Sequence, residues 1–249
     1  MLIPRLRRKV EILSINMTYG SDIFVVGYPK SGNTWFQNLV AGIVYGVDLE
    51  RAQDSLIQEL VPDVHFKNCY KRHSDIMFFK SHKLPVPEYK RVVYLLRDGR
   101  DVMVSYFHHL LALGRNPDLL KMVRDGEGLD LPKWHFHVQQ WFSNPYNTQM
   151  IVIKYEDLMK DPIQELTRFC AFVGLPGDAS LLREVSAKAS FTNMQRRERL
   201  FGWADTRWPK DKSFVRRGVV GSFKDEMPAE VLAEFLRDAQ ATLKSCGYI

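Results

Sequence analysis

The sequence has few cysteines and no long apolar segment in its 249 residues. Cys69, Cys170 and Cys246 are widely spaced and match no metal-ligand pattern, which fits a reducing compartment and argues against a disulfide framework. No stretch approaches the roughly 20 apolar residues that cross a bilayer, and the N-terminus has no signal-peptide apolar segment. These absences argue against a secreted disulfide scaffold or a membrane-spanning protein, and they predict a soluble, cytoplasmic one.

The composition also lacks repeats, linkers and low-complexity tracts. With 45% hydrophobic residues, the chain can bury a large core, so we expect one domain over 1–249. The formal net charge of +6 indicates either an acidic ligand or a solvated basic face. The basic lead-in over 1–20 either packs as an amphipathic segment or makes a weak membrane-surface contact. No nucleic-acid partner is expected, because the charge gathers in ligand-sized clusters without a recognition module.

Short apolar runs alternate with segments of helical periodicity. The runs typical of strands are Ile23 to Gly27, Ile76 to Lys80, Val92 to Leu96 and Met150 to Lys154. Helices are expected at Thr34 to Tyr45, Asp101 to Leu113, Pro132 to Phe142, Pro162 to Val173 and Ala229 to Cys246. This alternation predicts an α/β fold with a central parallel β-sheet flanked by helices. Two segments rich in glycine, proline and charge, 113–131 and 202–222, are predicted to be loops or lids.

The stretch GYPKSGNTW, from Gly27 to Trp35, follows the first predicted strand. Gly27 and Gly32 have the spacing of the phosphate loop G-x-x-x-x-G-K-[ST], but Asn33 takes the place of the lysine. The lysine stands three residues earlier, at Lys30. A strand, a glycine turn and a helix bring backbone N–H groups together on an anion, so the stretch predicts an unusual phosphate cradle.

The strand Val92 to Leu96 ends in an arginine, where a nucleotide triphosphatase would need an acidic metal ligand. Arg97 opens the segment RDGRDVMVSYFHH, and Ser105 follows about two helical turns into it. Since arginine offers a planar fork of donors, this pair predicts a second phosphate site. Alternatively, Arg97 pairs with Asp98 or Asp101.

The stretch FFKSHKLP places Lys80 and His82 two residues apart near the end of a strand, so their side chains point to the same face. In open parallel sheets, ligands bind at that edge. A histidine can take a proton near neutral pH, and a neighbouring lysine stabilises negative charge. A basic stretch, SFVRRGVVGSFK, supplies Arg216, Arg217 and Gly218 in a predicted flexible loop.

Together, these four stretches resemble the sulfotransferases that use 3′-phosphoadenosine 5′-phosphosulfate (PAPS), and the similarity to the cytosolic type is close. YPKSGNTW resembles the family's 5′-phosphosulfate loop, RDGRDVMVSY its 3′-phosphate segment, FKSHKLP its catalytic strand and RRGVVGSFK its C-terminal signature R-K-G-x-x-G-D-W-K. The motifs occur in the family's order, with KYEDLMKDP and ASFTNM as weaker matches. The resemblance implies a P-loop-like fold and metal-independent sulfuryl transfer from PAPS to a hydroxyl or amine of a small-molecule acceptor, releasing adenosine 3′,5′-bisphosphate (PAP).

The resemblance also implies a role for each matching residue. The 5′-phosphosulfate cradle would consist of Lys30, Ser31, Gly32, Asn33 and Thr34. The 3′-phosphate would be held by Arg97, Ser105, Arg216, Arg217 and Gly218. The adenine would lie between Trp35 and Phe191, with Tyr155 at its edge. The catalytic group would consist of His82 as general base, Lys80 on the transferring sulfuryl oxygens, Lys30 on the bridging oxygen of the leaving group, and Ser105. The loop over 202–222 would move over the nucleotide.

The sequence departs from the family pattern at several positions. Asn33 stands where threonine is expected, Arg217 replaces lysine, and Ser222-Phe223 replaces Asp-Trp. The short dimerisation motif expected after Lys224 is absent, so the oligomeric state stays open. The late start and shorter length favour a bacterial or otherwise divergent member.

The acceptor pocket should lie between His82 and the variable loops. The candidates to line it are Phe107, His108, Trp134, His137, Trp141 and Trp203. An aromatic pocket suits a phenol, a lipid-like alcohol or an aromatic natural product. However, Trp134 and Trp141 also recur at the spacing of a packed helix, so no acceptor is assigned. Two other classes stay open: a nucleotide kinase or triphosphatase with metal-dependent phosphate release, and a catalytically inactive nucleotide-binding protein.

Overall fold

The computed structural model describes residues 6–203, 205 and 208–249. Its central sheet has four parallel strands in the order β4-β2-β5-β6. These strands are β2 (Ile23–Gly27), β4 (Phe78–Ser81), β5 (Arg91–Leu96) and β6 (Gln149–Lys154). The predicted α/β class with a parallel sheet is confirmed, and each predicted strand lies within two residues of its observed bounds.

The five predicted helices are present, together with shorter ones that the periodicity did not indicate. The predicted ones are α1 (Asn33–Tyr45), α3 (Gly99–Ala112), α5 (Trp134–Ser143), α7 (Pro162–Val173) and α11 (Ala229–Ser245). The others are α2 (Asp54–Leu60), α4 (Leu119–Asp125), α6 (Tyr155–Lys160), α8 (Ala179–Lys188), α9 (Phe191–Phe201) and α10 (Phe223–Glu226). The ends of α7 follow capping chemistry: the Asp161 carboxylate accepts from Gln164 N–H, and Gly174 closes the helix in the left-handed conformation.

Helices cover both faces of the sheet, because successive strand residues point to opposite sides. Phe24 and Val26 of β2 belong to a core shared with α3, α5 and α11, whereas Ile23 and Val25 belong to a core shared with α1, α7 and α8. The first core contains Trp134 and Trp141, each 1% exposed. These two tryptophans therefore pack against the sheet and were wrongly considered for the acceptor pocket.

An antiparallel ribbon stands beside the main sheet and was not predicted. It pairs β1 (Leu6–Ser14), which lies in the basic lead-in, with β3 (Cys69–Ser74). A fully buried ion pair, with 2.7 Å between Arg72 Nη2 and Asp22 Oδ1, joins this ribbon to the start of β2.

The two predicted loops have different outcomes. The segment 113–131 contains α4, so its prediction as a structureless loop was wrong there. The described part of 202–222 has no helix or strand, as predicted; residues 204, 206 and 207 of this predicted loop lie outside the described residues. In the portions of the chain that the structure describes, no helix is long and apolar enough to cross a membrane.

Candidate active site

A cleft of about 1450 Å³ opens where β2, β4 and β5 end, which is the usual ligand edge of an open parallel sheet. Nearly all residues predicted for the site line it: Lys30, Gly32, Asn33, Thr34, Trp35, Lys80, His82, Arg97, Ser105, Tyr155, Phe191, Arg216, Arg217 and Gly218. The remaining one, Ser31, is buried in the loop between β2 and α1. Motifs that are far apart in sequence thus meet in one place.

The loop after β2 has the backbone of an anion cradle. Lys30 and Gly32 both have a positive φ, of 73° and 93°. A left-handed non-glycine residue costs energy, and such residues gather at functional sites. Gly32 must be glycine for a second reason: a Cβ there would lie 2.8 Å from the Tyr155 ring. Gly32 is also the N-cap of α1 and has no side chain to cap it, so N–H groups of the first turn remain available to an anion.

The Lys30 ammonium lies in a strongly positive environment. Its Nζ is 4.7 Å from the centroid of the Phe214 ring. Burial, together with the charges of Lys80, Arg97 and Arg216, lowers the pKa of Lys30 to about 7. In the free protein, the cationic side chains of the site therefore repel one another, and a negatively charged ligand would relieve that repulsion.

His82 has a defined tautomer. Its Nδ1 lies 2.7 Å from the carbonyl oxygen of Gly27, so Nδ1 carries the proton and donates it, which leaves a lone pair on Nε2. The Asn33 Nδ2 donates to the same carbonyl at 3.2 Å. Burial and the charge of Lys80 lower the pKa of His82 to about 3, although Asp63 raises it. At neutral pH, His82 is an uncharged imidazole with a lone pair that can accept a proton.

Several side chains that the sequence did not identify as supports hold β4 and its end. The Lys80 ammonium lies 3.3 Å from Thr34 Oγ1 and 3.0 Å from Asp63 Oδ2. His82 N–H donates to His65 Nε2 at 2.9 Å.

His137 was expected in the acceptor pocket, but it is fully buried, with its Nε2 3.1 Å from the carbonyl oxygen of His82. It supports the His82 backbone from the side of α5. The prediction that it lines the pocket was wrong.

Arg97 ties two loops of the cleft together. Its guanidinium donates to the carbonyl oxygens of Lys30 and Val219, each at 3.0 Å, and packs over the Tyr155 ring at 4.3 Å. The carboxylate of Asp101 is 4.0 Å away, so the alternative pairing is present as a long contact. Asp101 accepts mainly from the backbone N–H groups of 221 and 223, which anchors the end of the basic loop on α3.

The two arginines of the basic loop share one carboxylate. Arg216 and Arg217 each reach an oxygen of Glu226 at 2.8 Å, and His108 Nε2 reaches it at 2.7 Å. Burial raises the pKa of Glu226, but its bonds to Arg216 and His108 outweigh this and lower it to about 2. The sequence did not indicate a role for Glu226, yet Glu226 forms ion pairs with both arginines that were predicted to hold a phosphate.

Aromatic rings form another wall of the cleft. Trp203 stacks on Phe214 at 4.4 Å, and Trp208 stacks on His109 at 5.1 Å. Of the six predicted acceptor-pocket candidates, only Trp203 is among the residues that line the cleft. Trp208 and Phe214 were missed because their loop has no periodicity that would assign them a face, and His109 lies on α3 beside His108, which was chosen in its place.

Buried polar atoms around the cradle fit a polar ligand. Ser31 Oγ, Asn33 Oδ1, Trp35 Nε1 and Arg97 Nε are buried and have no hydrogen-bond partner within the described part of the chain. Unsatisfied buried polar groups are uncommon in proteins, so a cluster of them beside one cleft is typical of a site completed by its ligand.

Comparisons with known proteins identify similar sequences and similar folds. Rat (Rattus norvegicus) sulfotransferase 1E1 is 24% identical over 255 residues, covering 90% of this chain and 84% of that protein. A crystal structure of retinol dehydratase with retinol and PAP has a TM-score of 0.69 at 20% identity, covering 92% of this chain and 82% of that one. Mouse SULT7A1 with PAP has a TM-score of 0.64 at 20% identity, covering 93% and 90%. These structural likenesses show a shared fold. The model of the sulfotransferase domain family matches residues 20–247, nearly the whole length, and the chain therefore belongs to that family.

Proposed function

We propose that this sulfotransferase binds PAPS in the cleft and transfers its sulfuryl group to a hydroxyl or amine of a small-molecule acceptor. The observation that carries the proposal is the convergence of Lys30, Lys80 and His82 on one cleft from the ends of two neighbouring strands. The solved relatives that share the fold are described as complexes with PAP, the product of such a donor. Family membership also argues against the kinase alternative.

The donor would lie along the cleft from the cradle to the basic loop. The 5′-phosphosulfate would meet the N–H groups of the loop 30–34 and the Lys30 ammonium. The 3′-phosphate would meet Arg97, Ser105 and the pair Arg216 and Arg217, for which it would have to compete with Glu226. The adenine would lie near Trp35 and Phe191, both of which line the cleft.

The reaction follows from the charges already in place. The acceptor oxygen or nitrogen attacks sulfur while His82 Nε2 takes its proton. The new bond to sulfur forms as the bond between sulfur and the bridging oxygen breaks, and the electron pair leaves with PAP. Lys30 stabilises the charge that grows on the bridging oxygen, and Lys80 stabilises the sulfuryl oxygens. Positioning and fixed positive charge supply the catalysis, since the transferring group carries little charge of its own.

The acceptor would contact the aromatic wall formed by Trp203, Trp208, Phe214 and His109. Such a surface suits a flat or lipid-like molecule with one reactive hydroxyl, because stacking and apolar burial orient it. The related retinol dehydratase is described with retinol and with androsterone, both apolar alcohols. We therefore propose phenols and apolar alcohols ahead of sugars.

Two measurements test the proposed function. In calorimetric titration, PAP should bind at least tenfold more tightly than adenosine 5′-phosphate, since each charge-assisted phosphate contact contributes about 1.5–3 kcal/mol. Stronger binding of magnesium–ATP than of PAP would support the kinase alternative. In a transfer assay with radiolabelled PAPS, label should appear on a phenol or alcohol. PAP binding without transfer to any phenol, alcohol, amine or sugar would instead indicate the inactive nucleotide-binding protein.

A further inference from the structure

The segment from Pro62 to His65 runs beside β4, the strand that carries Lys80 and His82. Lys80 N–H donates to the Pro62 carbonyl oxygen at 2.9 Å, and Val64 N–H donates to the Lys80 carbonyl oxygen at 3.0 Å. Asp63 and Lys80 are thereby paired as an isolated parallel bridge. These main-chain hydrogen bonds on either side of Asp63 determine which side chains of the segment reach β4.

Asp63 is a fully buried carboxylate at the centre of this segment. One of its oxygens lies 3.0 Å from Lys80 Nζ, and the other accepts from His65 N–H at 2.9 Å. Burial raises the pKa of Asp63, but the charge of Lys80, the protonated form of His82 and the hydrogen bond from His65 outweigh it, so the net pKa is lowered. Asp63 is thus an anion beside the ammonium of Lys80.

The same segment also supports the general base. His65 accepts from His82 N–H, and the two imidazole rings lie nearly parallel, with centroids 5.4 Å apart. The other groups facing His82 are the Lys80 ammonium, the Gly27 carbonyl, the Asn33 amide and, at its own carbonyl, His137. Two charged side chains act on the pKa of His82: Lys80 lowers it and Asp63 raises it.

We propose that Asp63 is a positioning residue of the transfer reaction, which holds the Lys80 ammonium beside Thr34 and stabilises the imidazolium formed when His82 takes the acceptor proton. The proton moves from the acceptor to His82 Nε2, and Asp63 keeps its charge and exchanges no proton. Without that carboxylate, Lys80 would face the new imidazolium unopposed, and the proton transfer would become harder. This role rests on the proposed function, but its test has readouts that need no turnover.

The test compares Asp63→Asn with Asp22→Asn. Both aspartates are fully buried and ion-paired, but Asp22 precedes β2 at the opposite end of the sheet from the cleft. Asp63→Asn should lower kcat at least tenfold, leave the Kd for PAP unchanged or lower it, and shift the His82 imidazole titration seen by NMR to lower pH. Asp63→Glu should restore part of kcat. Asp22→Asn should lower thermal stability and leave the His82 titration where it is.

Two results would overturn the proposal. One is an Asp63→Asn enzyme with kcat within twofold of wild type. The other is a parallel loss of kcat, PAP affinity and thermal stability with the His82 titration unmoved, which is the pattern of a merely structural residue.

A second pair of variants covers the case in which Asp63→Asn fails to fold. Lys80→Gln already lacks the ammonium, and adding Asp63→Asn to it leaves no unpaired buried charge, so the double variant should fold. The pKa of His82 should be about one unit lower in the double variant than in Lys80→Gln alone. Equal values would show that Asp63 does not act on His82. If the wild type binds no PAP, the proposed function fails, whereas these titrations still report on Asp63.

Discussion

Nucleotide binding should be coupled to protonation of Lys30. In the free protein, burial and the charges of Lys80, Arg97 and Arg216 lower the pKa of Lys30 from 10.5 to about 7. A bound bisphosphate or phosphosulfate raises this pKa again, because it brings negative charge beside the ammonium. At pH 8, about one tenth of the free protein carries a protonated Lys30, so binding should take up close to one proton per nucleotide.

The pH dependence of PAP affinity follows in size and sign from the pKa of Lys30. The complex favours the charged lysine, so affinity falls as the pH rises through about 7. If only the protonated form binds, the apparent Kd for PAP increases roughly fiftyfold from pH 7 to pH 9. This range lies above the second pKa of a phosphate monoester, about 6, so the ligand itself does not titrate.

Calorimetric titration of PAP in two buffers with different ionisation enthalpies measures this proton uptake directly. Lys30→Arg is the matched control, because its guanidinium stays charged and its Kd should change little over the same range. If the wild type takes up no proton at pH 8 and binds PAP equally well at pH 7 and pH 9, the electrostatic account of Lys30 is wrong.

Two further substitutions test other parts of the site. His82→Ala should reduce turnover about a thousandfold while the Kd for PAP changes less than threefold, because it removes the base and no donor contact; near-normal turnover would remove His82 from that role. Glu226→Gln should tighten PAP binding roughly tenfold, since a carboxylate about 6 Å from a phosphate costs about 1.4 kcal/mol at an effective dielectric of about 40. The exposed neighbour Asp225→Asn is its control and should change the Kd less than twofold. Weaker binding by Glu226→Gln would mean that Glu226 helps to place Arg216 and Arg217.

The sheet could be predicted from the sequence because strands buried on both faces appear as continuous apolar runs, such as Ile23 to Val26. The ribbon of β1 and β3 could not, because neither strand has an apolar pattern: Ile12 of β1 is 71% exposed, and β3 buries the polar residues Arg72 and Ser74. Periodicity also identified the helix of Trp134 and Trp141, but it does not say whether an apolar face meets the core or a ligand.

The turn between β2 and α1 was predictable because its signal is local. Glycine, lysine and a helix start are contiguous from Gly27 to Thr34, and the structure places them as expected. Asp63 and Glu226 were missed because tertiary contacts give them their importance: Asp63 reaches Lys80 through a backbone bridge across 17 positions, and Glu226 reaches Arg216 across 10. Neither residue has a sequence pattern around it that indicates such a contact.

In the proposed reaction, His82 and its neighbouring lysines move a sulfuryl group from PAPS to an acceptor. Incubating the protein with radiolabelled PAPS and a set of phenols and apolar alcohols, and repeating the assay with His82→Ala, tests this most directly. We expect labelled acceptor with the wild type and almost none with the variant, while both proteins bind PAP. Equal labelling by the two proteins would contradict the assignment of the base, and a wild type that neither labels an acceptor nor binds PAP would contradict the account as a whole.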